Sequence, residues 1–107
     1  MFQPCLQLLR THDLHVQLAK ILSRWDATPE ERVAFLDWAM DVAAEAELMA
    51  TESPARAAQA LRSERDFAHG RIAEQLLRSS TIDLQLVSKR TFFEYLSGEL
   101  EPRRQAA

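Results

Sequence analysis

Thr28-Pro29-Glu30-Glu31 and Ser53-Pro54 decide the layout of this chain. In each, a hydroxyl residue precedes a proline. Thr and Ser side chains accept hydrogen bonds from the unpaired N–H groups of a helix's first turn. A proline at the first helical position gives up only an N–H that had no intrahelical partner. Glu31 stands three residues after Thr28 and completes the pattern of a capping box. The two stretches predict helices that begin at Pro29 and Pro54. With 2 Gly and 4 Pro in 107 residues, the chain has little turn-forming material, which predicts a few long elements.

Upstream, a first helical segment is expected from about Pro4 to Trp25. Leu14, Leu18, Ile21, Leu22 and Trp25 recur at helical spacing on one face, and Leu6, Leu9, Val16 and Ala19 make another. Either one helix is covered on two sides, or a short first helix breaks near Thr11-His12-Asp13, where Thr11 or Asp13 would cap a second. The helix from Pro29 is expected to run to about Met49. Its apolar residues, from Phe35 and Leu36 through Trp38, Ala39, Met40, Val42, Ala43 and Ala46 to Met49, cover about half the circumference at roughly 100° per residue. Such an arc belongs to a central or shared helix. Its other side carries Asp37, Asp41 and Glu45 at i, i+4, i+8, a like-charge stripe that is solvated or faces a basic partner.

From Pro54 a third helix reaches toward Arg78, with Ala57, Ala58, Leu61, Ala68, Ile72 and Leu76 on a narrow, alanine-rich face. Gly70 inside it costs about 1 kcal/mol relative to Ala and marks either a straight helix or a break after His69. Ser79-Ser80-Thr81 punctuates the chain. A fourth helix is expected from about Ile82 to Leu96, ended by Ser97-Gly98 because glycine readily takes the left-handed conformation past a helix terminus. The expected fold is all-α, a small antiparallel bundle of four helices with short connections, or five if the first segment breaks. It forms one domain over residues 1–102, with 103–107 as a loose tail.

Composition narrows the function. Hydrophobic residues at 47% and charged residues at 27% fit an ordinary globular domain. The net charge of −3 is uneven. Residues 1–54 hold 4 Lys and Arg against 9 Asp and Glu, and residues 55–107 hold 9 against 7. That excludes whole-surface nucleic-acid binding and permits a local basic patch near the C-terminus. The frequent Ala, Arg and Leu fit a GC-rich bacterial source. Cys5, the single cysteine, allows no internal disulfide and suits a reducing cytosol. The start MFQPCLQLLR lacks the basic leader and long apolar run of a signal peptide. No stretch reaches the ~18 apolar residues of a membrane span. A cytoplasmic protein is expected.

Catalytic patterns are absent: there is no phosphate loop, no G-x-S-x-G and no H-E-x-x-H. His12 and His15 share a helical face at i, i+3, but Cys5 and Asp13 do not complete a ligand set. Two ordinary polar histidines are the simpler reading. His69 is isolated. No catalytic residue, metal, cofactor or small-molecule substrate is expected.

Val87-Ser88-Lys89-Arg90-Thr91-Phe92-Phe93-Glu94-Tyr95-Leu96-Ser97-Gly98, with Pro102, resembles the recognition helix and exit turn of repressor-type helix-turn-helix proteins. The resemblance implies that Ser88, Lys89, Arg90 and Thr91 would meet DNA, and that Phe92 and Leu96 would pack inward; a DNA-binding reading adds Arg103 and Arg104 beyond them. Upstream, Thr81-Ile82-Asp83-Leu84-Gln85-Leu86 carries neither the small helical residue nor the turn glycine of that family. A terminal bundle helix is the simpler reading, and a DNA-binding regulator is the alternative.

The last helix has no fully polar side. Phe67 lies off the stripe of its helix, and Leu48 falls among acids. This is more apolar surface than a small monomer hides easily, and contiguous apolar patches mark interfaces. The expected function is therefore a non-enzymatic regulatory protein that binds a protein partner, a second copy of itself, or both. An inhibitor, antiactivator or adaptor of a regulator is the class envisaged. The interface residues expected are Phe35, Trp38, Val42 and Met49, with Phe92, Phe93 and Tyr95. No membrane partner is expected.

Overall fold

The computed structural model describes residues 11–79 and 81–100. Among them are four helices and no strand: α1 (Thr11–Ser23), α2 (Pro29–Glu52), α3 (Pro54–Arg78) and α4 (Leu84–Leu100). The protein is a small all-α bundle. The expected break near Thr11-His12-Asp13, which would give a fifth helix, falls at the edge of the described residues. His12 and Asp13 themselves lie within α1. The expected tail at 103–107 lies outside the described residues.

Both proline-marked starts form. Thr28 Oγ1 accepts from the Glu31 N–H at 3.1 Å, and Glu31 Oε1 accepts from the Thr28 N–H at 2.8 Å. At the second start, Ser53 Oγ accepts from the Arg56 N–H at 3.2 Å. Ser53 also ends α2, donating its N–H to the Met49 carbonyl at 3.0 Å. Helix α2 therefore runs three residues beyond the expected Met49, and one residue joins it to α3. Pro54 explains the corner. The residue before a proline is disfavoured in the helical region, and Ser53 is extended, with φ −156° and ψ 103°.

Three other expectations are corrected. Helix α1 stops at Ser23, and Arg24 and Trp25 follow in a tighter turn, their N–H groups bonded to Ile21 and Leu22. Helix α4 starts two residues later than Ile82, at an Asp83 cap whose Oδ1 accepts from the Gln85 N–H at 3.0 Å. It passes straight through Ser97-Gly98 to Leu100, and neither glycine has a positive φ. Packing overrides the glycine stop signal there, since Leu96, Ser97 and Leu100 are all buried. Likewise α3 continues unbroken through Gly70.

Helix α4 is the centre. It makes its most extensive pairing with α3 and also packs on α1 and α2. Asp83 donates its N–H to Gln75 Oε1 at 3.0 Å, and Arg90 and Glu94 share a hollow with Arg65 and Asp66. Rising numbers on α4 thus meet falling numbers on α3, an antiparallel hairpin. Phe92 and Leu96 are 0% exposed. The stripe Leu14, Leu18, Ile21 and Leu22 of α1, with Trp25 in the turn after it, is buried as its spacing predicts, while Val16 and Ala19 on the second face of α1 are exposed. On α2 the buried set is narrower than expected: Phe35, Ala39, Ala43, Ala46 and Ala50 are inside, and Met40 and Met49 are each 42% exposed. On α3, Leu76 is outside the core at 54% exposure.

An alanine built at Gly70 meets nothing within 4 Å, so only the backbone entropy of glycine opposes the helix there. Gly70→Ala should raise stability by about 1 kcal/mol, read as a higher denaturant midpoint with an unchanged slope. A drop in the midpoint would contradict the straight α3.

Candidate protein-docking trough

Trp25, in the turn after α1, and the aromatic residues of α2 and α4 form one connected cluster. Trp25 meets Phe35 edge-on at 5.5 Å, Phe35 meets Phe92 at 6.4 Å and Trp38 at 5.4 Å, and Trp38 meets Phe93 edge-on at 5.3 Å. Ring pairs of this kind contribute about 0.5–1.5 kcal/mol each beyond area burial. The cluster begins in the core and surfaces at Trp38 and Phe93, which are half-buried.

Where it surfaces, an open trough of about 280 Å³ runs between α2 and α3. Its α2 wall is Trp38, Val42, Ala46 and Met49, with Glu45 on the rim. Its α3 wall is Ala57, Ala60 and Leu61, with Glu64 on the rim, and Phe93 of α4 forms the floor. The trough exists because large α2 side chains face alanines: Ala57 and Ala60 leave room that a larger residue would fill. Beyond Phe93 a second hollow of about 220 Å³ continues along Trp38 and Glu64 to Phe67, Arg71 and Lys89. Phe67 is 66% exposed.

Four of the residues expected at an interface, Trp38, Val42, Met49 and Phe93, thus lie together along this trough. Phe35 and Phe92 do not. Each is 0% exposed at the centre of the bundle and belongs to the core of the single chain. Much of the apolar surface of α4 is likewise consumed within the chain, since three helices surround it. Tyr95 stacks near Phe92 at 6.3 Å and comes under the field of Asp13 on α1. The α3 wall was legible only as an alanine-rich face. Its pairing with the α2 aromatics depends on the Ser53 corner.

The residues expected to meet DNA are dispersed. Ser88 is 5% exposed and, with Thr91, faces α1 beside Ile21 and Arg24. The Thr91 hydroxyl is donated to the Val87 carbonyl at 3.0 Å. Lys89 turns to α2, its Nζ 5.0 Å from the centre of the Trp38 ring, a cation–π contact. Arg90 lies between α1 and α3, lining hollows on both sides. A recognition helix needs one free face to enter a groove, and α4 has neighbours on three. Arg103 and Arg104 lie outside the described residues. His12, His15 and His69 are exposed. Among the described residues no three His, Cys, Asp or Glu side chains are grouped to hold a metal, and no helix is long and apolar enough to cross a membrane.

Two buried polar atoms have no hydrogen-bond partner among the described residues, Arg90 Nε and the Tyr95 hydroxyl. Burial, then the carboxylates of Glu99 and Asp13, push the Tyr95 phenol up to about 12. A hydroxyl buried without a partner opposes folding, so Tyr95→Phe should leave stability equal or slightly higher. Tyr95 is the chain's single tyrosine, so ultraviolet titration reads it directly and should show a midpoint near 12. The unfolded chain gives up this proton near the ordinary 10.0, so stability should fall as pH rises from about 10 to about 12. A midpoint near 10, or a marked loss of stability in the phenylalanine variant, would contradict this environment.

Compared with protein-family models, with curated proteins and with solved structures, the chain matches none.

Proposed function

We propose that this chain is a non-enzymatic interaction protein that acts by docking a protein partner in the trough between α2 and α3, as an inhibitor, antiactivator or adaptor of a regulator would. The observation that supports this reading is the convergence of Trp38, Val42, Met49 and Phe93, from two helices, along one open apolar channel. Tryptophan and other aromatic anchors in partly desolvated pockets carry most of the binding energy of protein interfaces. An apolar trough walled by two helices suits the laying-in of a third. A DNA-binding role for α4 has weaker support, because Ser88 is buried and Lys89 is held over Trp38.

Val42→Lys with Met49→Lys is the test. Met49 is 42% exposed and Val42 half-buried, so the fold should survive, as circular dichroism and a thermal melt would show. The wild-type chain should retain a protein from its native lysate, or form a dimer by light scattering, and the double variant should lose it by about tenfold or more, the loss expected for hot-spot positions. Identical capture and identical molar mass in the folded variant would sink the trough as the site.

A further inference from the structure

The rim charges of the trough select among possible occupants. Resting on the docking reading above, the geometry points to an amphipathic helix of a different protein, with apolar anchors one turn apart and Lys or Arg beside them, as the ligand of the α2–α3 trough. The argument is one of shape and charge. At about 280 Å³ the trough falls just below the usual 300–1,000 Å³ of small-molecule pockets, and it is open on one side. Its walls are helices, and among the described residues there is no strand edge to pair with an extended peptide. A helix is the element that packs between two helices.

The charged side chains at this trough, Glu45 and Glu64, are both acidic and exposed. Neither takes part in an ion pair among the described residues. Glu45 also ends the stripe Asp37, Asp41, Glu45 along the exposed side of α2, so negative charge extends outward from the rim. Among the described residues that line the two hollows, the cations are Lys89 and Arg71, at the far end of the continuing one, which Glu64 also lines. A helix lying in the trough with basic residues over Glu45 and Glu64 meets complementary charge. A second copy is less well matched: a two-fold self-association brings two copies of this one patch together, so two Glu45 and two Glu64 share the interface with only Lys89 and Arg71 from the continuing hollow to oppose them.

The test uses two synthetic helical peptides with the same leucine stripe at i, i+3, i+4 and i+7, one flanked by Lys and one by Glu. Binding to the intact chain is read by fluorescence anisotropy at low and moderate salt. The Lys peptide should bind about tenfold tighter at low salt, a difference that shrinks as salt screens the rim. The double variant E45K/E64K, changed only at exposed positions, should reverse the preference. Ala60→Trp fills the trough without changing its charge and should weaken the Lys peptide at least tenfold. Met49→Trp, at an exposed position, serves the same purpose if Ala60→Trp does not fold. Equal binding of both peptides, still blocked by the tryptophan variants, would overturn the charge assignment and leave the docking reading standing. Binding of the Lys peptide that the tryptophan variants do not disturb would place it elsewhere on the acidic surface and overturn the site. So would no binding of either peptide. A wild-type dimer by light scattering that Ala60→Trp or Met49→Trp dissolves would make the second copy the occupant and overturn the heterologous helix.

Discussion

Ser53 holds the bundle's geometry. Pro54 disfavours the helical region at this residue, and Ser53 is extended and ends α2, yet its N–H still closes the last turn of α2 and its hydroxyl opens the first turn of α3. A connection of one residue leaves no slack. The 24 residues of α2 and the 25 of α3 turn back on each other from a fixed point, with Met49 opposite Ala57 and Trp38 near Glu64. The trough is a consequence of this corner: the same two helices joined by a longer loop would have no reason to hold that register.

What fills the space beneath the corner is α4. Its Phe92 and Leu96 are completely enclosed, and Phe92 and Phe93 connect to the aromatic residues of α2. Cutting a buried phenylalanine to alanine in such a setting costs about 3–5 kcal/mol, a large share of the stability of a domain this size. Because α4 is central, its lack of a polar side follows from having three neighbours, and its apolar residues serve the chain's own core. Its basic residues are spread around that core helix, Lys89 toward Trp38 of α2 and Arg90 between α1 and α3.

The candidate site was half legible. Trp38, Val42 and Met49 were identifiable because periodicity placed them on one broad arc of α2, and Phe93 because α4 has apolar residues in excess. Phe35 and Phe92 were indistinguishable from them by the same logic: a helical wheel tells which residues share a side and not how deep each sits. The α3 wall was nearly invisible, since Ala57 and Ala60 announce themselves only as small residues, and a hollow is defined by what stands opposite. The glycine stop at Gly98 misled for a related reason. Local preference favours ending the helix, but burying Leu100 two residues on outweighs about 1 kcal/mol of backbone cost.

From the sequence alone came the helical class, the starts at Pro29 and Pro54, the buried stripe of α1 and the acidic stripe of α2. All of these rest on interactions within a few residues: a cap, a fixed proline φ, a spacing of three or four. The tertiary structure alone decided that α4 is central, that Phe35 and Phe92 are core while Trp38 and Phe93 reach the surface, and that alanines on α3 face aromatics on α2 to leave an open trough. Those outcomes depend on which faces of distant segments meet. That is set by the packing of all the helices together, a long-range sum that no local pattern encodes.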